Sequence, residues 1–301
     1  MIQPPAQQIA GVYHRRVGDI TVTAISDGFL DGNLDVLKNI TLDEARQILT
    51  DNFRPARRTA VNCFLVYSAG RLALIETGCG TLMQASGGKL LSNLKAAGVD
   101  PASIDAVLLT HMHPDHSAGL TDMATGKPHF ANAELVMHEN EPKHWFDDAA
   151  MARGNDRDKK LFFQAGREQV TPYKSRWRLF QKGDVFPGIT ALPFHGHTPG
   201  HTGYMISSGK EQMLIWGDIV HVPEVQTARP EVCMAFDSDA GQAEATRRRV
   251  FDMVATDKLL VSGMHLHFPG FTRLIKRGTG YQLVPAAWEQ SIEAPLGSPW
   301  H

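Results

Sequence analysis

The chain has 301 residues, 43% of them hydrophobic and 21% charged, with a formal net charge of -2. That length and balance allow a large core and exclude an intrinsically disordered chain. Basic and acidic residues are mixed along the sequence with no Lys/Arg run long enough to track a phosphate backbone, which argues against nucleic acid as a partner.

No stretch approaches the ~18 uninterrupted apolar residues of a membrane span, and "MIQPPAQQIAGVYHRR" at the start lacks the apolar core of a signal peptide. The expectation is a soluble, cytoplasmic protein that does not bind membranes; a mature form whose signal had been removed would read the same. Cys63, Cys79 and Cys233 are widely spaced and form no CxxC pair, so they read as buried thiols, neither a disulfide framework nor a thiolate metal site.

In chain order, "DITVTAISDG" (19–28) alternates as a half-buried strand does, and "NCFLVYSAGRLALIETG" (62–78) reads as two strands joined at Ala69-Gly70. The segment "GGKLLSNLKAAGV" predicts a helix closed by Gly98, and "IDAVLLT" (104–110) a strand covered on both faces, ending at His111. The region at about 139–180 is helical and rich in aromatic and charged residues, and reads as an insertion over the rim. Then the first order repeats. "TGYMISSGKEQMLIWGD" (202–218) predicts a hairpin around Ser208-Gly209, "SDAGQAEATRRRVFDMVATDK" (238–258) a helix from a Ser or Asp cap, and "LLVSGMHLH" (259–267) a second buried strand.

Two copies of hairpin, helix and buried strand predict two sheets packed face to face with helices outside. One α/β domain spanning 1–301 is expected, with short tails at residues 1–11 and at "EAPLGSPWH".

Histidine carries the functional signal. Of 14 histidines, eight fall in three short clusters at predicted strand ends: "HMHPDH" (111–116), "HGHTPGH" (195–201) and "HLH" (265–267). His111 and His113, two apart, project to the same side of an extended segment. Pro114 then opens a helix turn that brings Asp115 and His116 back toward them. Four ligand-type side chains in six residues exceed what one tetrahedral metal takes and suit two metals on a shared rim. In the second cluster, spacing alone does not choose among His195, His197 and His201.

The motif "HMHPDH", followed by "HTPGHT", "WGD" and "GMHL" in that order, resembles the metallo-β-lactamase-fold hydrolases over nearly the whole chain. The resemblance implies an αββα sandwich of two mixed sheets with two divalent metal ions. The first would be held by His111, His113 and His201, the second by Asp115, His116 and His265, with Asp218 bridging; His195 and His197 would be supporting residues. His267 competes with His265 through the internal repeat, but "HLHFPG" and "RGTGYQLVP" resemble the methyl parathion hydrolase-like branch, which keeps the first histidine as ligand. Imidazole and carboxylate ligands without thiolate fit zinc, and also manganese, iron or cobalt.

Two such cations lower the pKa of a water from 15.7 toward about 7, so no Ser or Cys nucleophile is required. Asp115 is then a candidate both for metal binding and for proton transfer to the leaving group. Two departures from the family pattern stand out. Glu76-Thr77-Gly78 replaces the usual Asp-Thr-Gly, and His221 stands where lactonases that act on acyl-homoserine lactones often carry a tyrosine, as a candidate hydrogen-bond donor.

The resemblance also places Met83, Trp145, Phe162, Phe163 and Phe236 near the pocket, which would suit a small aryl or acyl ester. The expected activity is hydrolysis of lactones or of activated carboxylic esters, with N-acyl-homoserine lactone hydrolysis as a further alternative. Phosphotriester hydrolysis is the alternative, and a homodimer is implied by resemblance alone. β-Lactam hydrolysis is disfavoured because well-known zinc β-lactamases place a different residue at the Asp218 position. A ligand-sensing domain without turnover is disfavoured because all seven expected ligands are present.

Overall fold

The computed structural model describes residues 4–6, 8–54 and 56–292, so the C-terminal tail and parts of the N-terminal tail lie outside the described residues. Two seven-stranded sheets form the centre, and in each the strands lie side by side in chain order. The first runs Val12–Val17, Ile20–Gly32, Arg57–Ser68, Arg71–Ile75, Ala106–Leu108, Glu134–His138 and Trp177–Phe180. The second runs Gly183–Phe186, Ile189–Pro193, Thr202–Ser208, Glu211–Ile215, Leu260–Ser262, Thr272–Arg277 and Gly280–Pro285.

The repeat expected from the sequence is present. Arg57–Ser68 and Arg71–Ile75 form an antiparallel hairpin, and Ala106–Leu108 returns parallel to Arg71–Ile75 after the helix Leu90–Ala96. Thr202–Ser208, Glu211–Ile215, the helix Ala240–Thr256 and Leu260–Ser262 repeat the pattern. In the first hairpin Ala69 and Gly70 both have positive φ (50° and 73°), the turn that matches the strand twist. In the second the turn is Gly209-Lys210, one residue later than predicted, because Ser208 still pairs with Glu211.

Period-two alternation explains why these strands read as continuous apolar runs. Phe64, Val66, Ala73 and Ile75 face the second sheet and meet Tyr204, Ile206, Met213 and Ile215 there. Their neighbours Cys63, Leu65, Leu72 and Leu74 face the opposite way, onto Leu90 and Leu94 of the outer helix. On the other side Leu214 and Val261 pack under Val250, Phe251 and Val254. Both faces are buried, giving a helix–sheet–sheet–helix sandwich. Asp239 caps the long helix, its side chain accepting from the Gln242 N–H.

The segment expected as an insertion is helical from Asn140 to Arg176, but Trp177–Phe180 joins the first sheet as an edge strand parallel to Glu134–His138. Within it, Lys159–Gln164 forms a π-helical turn between α-helical flanks. No helix among the described residues is long and apolar enough to cross a membrane.

Candidate metal centre

The three histidine clusters meet at one end of the sandwich. The extended segment after Ala106–Leu108 aims His111 and His113 inward, and Pro114 then starts the single turn Pro114–Ser117, which turns His116 and Asp115 back. The loop after Glu211–Ile215 brings Asp218 to the middle and the loop after Leu260–Ser262 brings His265. Asp218 Oδ2 lies 3.2 Å from His116 Nε2, 3.2 Å from His265 Nε2, 3.3 Å from His197 Nε2 and 3.6 Å from His111 Nε2. His197 Nε2 is 2.9 Å from His113 Nδ1. On the other side, Asp115 Oδ2 is 3.6 Å from His116 Nε2 and 3.5 Å from His265 Nε2.

The inward-facing atoms fit cations better than one another. His111 Nε2, His116 Nε2 and Asp218 Oδ1 are buried without a hydrogen-bond partner, each at a cost of roughly 1–3 kcal/mol if nothing binds there. Ligand-type atoms within coordination reach of one another group as His111, His113 and His197, as Asp115, His116 and His265, and around Asp218. The outer nitrogens are held in place. His111 Nδ1 is 2.9 Å from Thr110 Oγ1, His197 Nδ1 2.7 Å from Asp237 Oδ1, His265 Nδ1 2.8 Å from the Ala60 carbonyl, and His116 Nδ1 3.4 Å from Glu76 Oε2.

This geometry corrects the choice in the second cluster: His197 belongs to the ring and His201 does not. His201 Nδ1 donates to the Phe194 carbonyl at 2.8 Å, and its Nε2 accepts the Asp218 backbone N–H at 2.8 Å. Burial pushes the His201 pKa down to about 3, so the ring is neutral and both nitrogens are used. Gly217, at φ +60°, permits that contact, since a Cβ there would sit 2.4 Å from His201 Nε2. His195 meets His138 edge to face at 4.8 Å, away from the ring. Of the third cluster, His265 enters the ring while His267 Nε2 pairs with Glu224 at 2.7 Å.

A family profile described as the metallo-beta-lactamase superfamily matches residues 56–265. The chain belongs to the metallo-beta-lactamase superfamily. A solved structure of the hydrolase AbOPH in the beta lactamase superfamily is 31% identical, with a TM-score of 0.89 over 94% of this chain and 100% of that one. AidC, a dizinc quorum-quenching lactonase solved with a product, N-hexanoyl-L-homoserine, is 25% identical, with a TM-score of 0.87 over 93% of this chain and 99% of that one. The uncharacterized protein YobT of Bacillus subtilis (strain 168) is 25% identical over 158 residues, which span 52% of this chain and 61% of that protein.

Superfamily members use divalent metals, and here Glu76, in place of the usual aspartate, reaches its histidine. Its Oε1 accepts the Thr110 N–H at 2.6 Å while Oε2 faces His116 Nδ1. Glu76 is buried at φ +67°, a backbone region costing roughly 1–3 kcal/mol for a side chain of this type and held by its surroundings.

A pocket of about 280 Å³ opens onto the ring, lined among others by Met83, Phe162, His221, Phe236, Leu161, Arg57, Thr59, Asp115 and His265. A larger groove of about 960 Å³ elsewhere contains none of the clustered histidines. Trp145 and Phe163 do not line the metal-side pocket, which corrects the expectation that they would. Phe163 follows Phe162 on a helical segment and so points to another side, where it packs on Trp145 at 4.9 Å. The Trp145 indole supports His113 from behind, ring to ring at 5.4 Å.

His221 Nε2 lies 2.9 Å from Asp218 Oδ2 and the ring stacks on His265 at 5.1 Å. Burial pushes its pKa down to about 4, so it is a neutral imidazole with one N–H to give. With His197 and Asp218 it also meets ligand spacing.

Sequence reading missed Glu141. Its Oε1 accepts from Thr198 Oγ1 at 2.5 Å and the Gly200 N–H at 2.9 Å, and its Oε2 from the Met112 N–H at 2.8 Å and Trp145 Nε1 at 2.7 Å. One buried carboxylate thus ties the first histidine loop to the second. Asp237, behind His197, was missed as well. Neither has a spacing signal, since the loop residues they hold at the rim, Met112, Thr198 and Gly200 for Glu141 and His197 for Asp237, lie 29 to 59 residues away.

Proposed function

We propose that this chain is a dinuclear metal-dependent hydrolase that opens lactones or activated carboxylic esters. The observation that carries the reading is the central Asp218 carboxylate with a triad on either side, His111, His113 and His197 on one and Asp115, His116 and His265 on the other. The donor set is imidazole and carboxylate, which suits zinc, and the likeness to a dizinc lactonase supports two ions.

Bound there, such ions lower the pKa of a water toward about 7 and polarise a carbonyl oxygen. The chain's own residues do the rest. Asp115, with 18% of its side chain exposed to the pocket, is placed to pass a proton to the leaving oxygen. His221 presents its N–H from the same wall to the substrate carbonyl or leaving oxygen. Met83, Leu161, Phe162 and Phe236 bound a small apolar space that limits water around the reacting group.

The test is kcat/KM for one metal-loaded preparation against an aryl lactone, an acyl-homoserine lactone and a dialkyl aryl phosphotriester. The reading expects a lactone to win by about a hundredfold, roughly 2.7 kcal/mol of transition-state preference. A phosphotriester winning overturns it in favour of phosphotriester hydrolysis.

A further inference from the structure

The wall of the pocket formed by the strand Arg57–Ser68 is chemically unlike the others. Residues 57 and 59 lie on the same face of that strand, and both line the pocket beside Asp115 and His265. Arg58, on the opposite face, is occupied, with Nε and Nη2 donating to the two Asp31 oxygens at 2.8 and 2.9 Å. Arg54 is paired with Glu224 at 2.7 Å. Arg57 differs from both. Its Nε is buried without a hydrogen-bond partner, and the Asp35 and Asp115 carboxylates attract the guanidinium without an ion pair at contact distance among the described residues.

Thr59 repeats the pattern. It is only 4% exposed, and its Oγ1 is buried in the pocket wall without a partner. Space has been left for the guanidinium. Gly32 pairs directly with Arg57 across the strands, and a Cβ at position 32 would sit 1.7 Å from Arg57 Nη2. A second guanidinium, Arg157, stands at the same pocket, 5.7 Å from the Phe162 ring centroid.

Unpaired donors are costly when dry and bind strongly to an anionic acceptor brought to them. We propose that Arg57 and Thr59 form an oxyanion-binding subsite beside the metal centre, so that the preferred substrate is an ester or lactone carrying a carboxylate on the arm directed away from the reacting carbonyl. The subsite specifies substrate class, and it rests on the hydrolase reading above. The carboxylate accepts from the Arg57 guanidinium and from the Thr59 hydroxyl, while the apolar wall of Met83, Leu161 and Phe162 takes the intervening chain.

The experiment compares mono-4-nitrophenyl adipate with its methyl ester, equal in length and differing in one charge, on the metal-loaded full chain. The expected kcat/KM ratio of acid to methyl ester is about tenfold or more, carried by KM, falling to about one in Arg57→Met and partly restored in Arg57→Lys. Thr59→Val reduces the ratio severalfold, and Arg58→Met leaves it in place. A ratio near one in the unmodified protein, or one that survives Arg57→Met, overturns the subsite.

Calorimetric titration with adipate separates this failure from that of the hydrolase reading. If no preparation turns over any ester, saturable adipate binding that disappears in Arg57→Met keeps the subsite while the hydrolase reading falls. Binding that is absent, or equal in the two proteins, removes the subsite whatever the turnover.

Discussion

Nε2 of His197 lies 2.9 Å from Nδ1 of His113, although the two residues are 84 positions apart. With His197 Nδ1 taken by Asp237, two imidazole nitrogens this close are placed to face a common cation. His201, four residues on, instead spends both nitrogens on backbone groups. His197→Ala is therefore expected to lower metal content by about one ion per chain and to abolish most activity. His201→Ala should keep both ions and lose about 10–100-fold in activity through a loosened Asp218. Metal analysis on both variants decides, and an ion lost from His201→Ala with two retained by His197→Ala would reverse the assignment.

The pair also shows what the sequence carries and what it does not. His111, His113, Asp115 and His116 were legible because strand periodicity and Pro114 fix their directions within six residues. The sandwich was legible because stretches buried on both faces, such as 63–66 and the strand Ala106–Leu108, leave apolar runs. The choice between His197 and His201 was not, since it depends on where the Asp218 N–H arrives from another loop. Phe163 could not be told from Phe162 because a helix boundary error of one residue rotates a side chain by about 100°. Arg57 gave no signal at all: its distinction is the absence of a partner.

Glu76 supports His116 from behind while accepting the Thr110 N–H. In Glu76→Gln the amide oxygen can keep the Thr110 bond, but the amide nitrogen then faces His116 Nδ1 and cannot accept from it. The ion beside Asp115, His116 and His265 is expected to bind about 10–100-fold more weakly, with the other site little changed. Competition titration with a chromophoric chelator resolves the two sites. Equal weakening of both would show that Glu76 acts on the whole rim.

Glu141 accepts four hydrogen bonds in a fully buried position, and burial pushes its carboxyl up against the donors of Thr198, Met112, Trp145 and Gly200. A glutamine there turns one acceptor oxygen into a donor facing two other donors. Glu141→Gln should lose about 2–4 kcal/mol of stability, read as a lower urea midpoint at unchanged slope. A loss below about 0.5 kcal/mol would mean that the two loops are held without it.

Removal of metal should act on folding as well as on turnover, because the buried nitrogens and the Asp218 carboxylate have few other partners. Each ion present at a thousandfold excess over its Kd adds about 4.1 kcal/mol. Chelation is therefore expected to abolish hydrolysis and to lower Tm by several degrees, both restored by zinc. Activity that survives exhaustive chelation, with metal analysis showing none left, would refute the metal-centred reading.

Glu224, in the first turn of the helix Pro223–Ala228, joins the third histidine cluster to the outer surface through His267 at 2.7 Å and Arg54 at 2.7 Å. Burial raises its carboxyl, but His267 and Arg54 outweigh it and hold the pKa down to about 2 against an ordinary 4.5. A carboxylate whose folded pKa is depressed stabilises the fold fully above the unfolded value and loses that contribution as pH falls through the folded one. The shift corresponds to an upper bound of about 3 kcal/mol, reduced to about 2 by solvent screening of the half-exposed Arg54. Glu224→Gln should thus lower stability by about 2 kcal/mol at pH 6. The difference should be roughly halved by about pH 3 and vanish below about pH 2. Urea midpoints at pH 6, 4 and 3 measure it, and a gap that stays constant over that range would show that the contact stabilises by packing and not by charge.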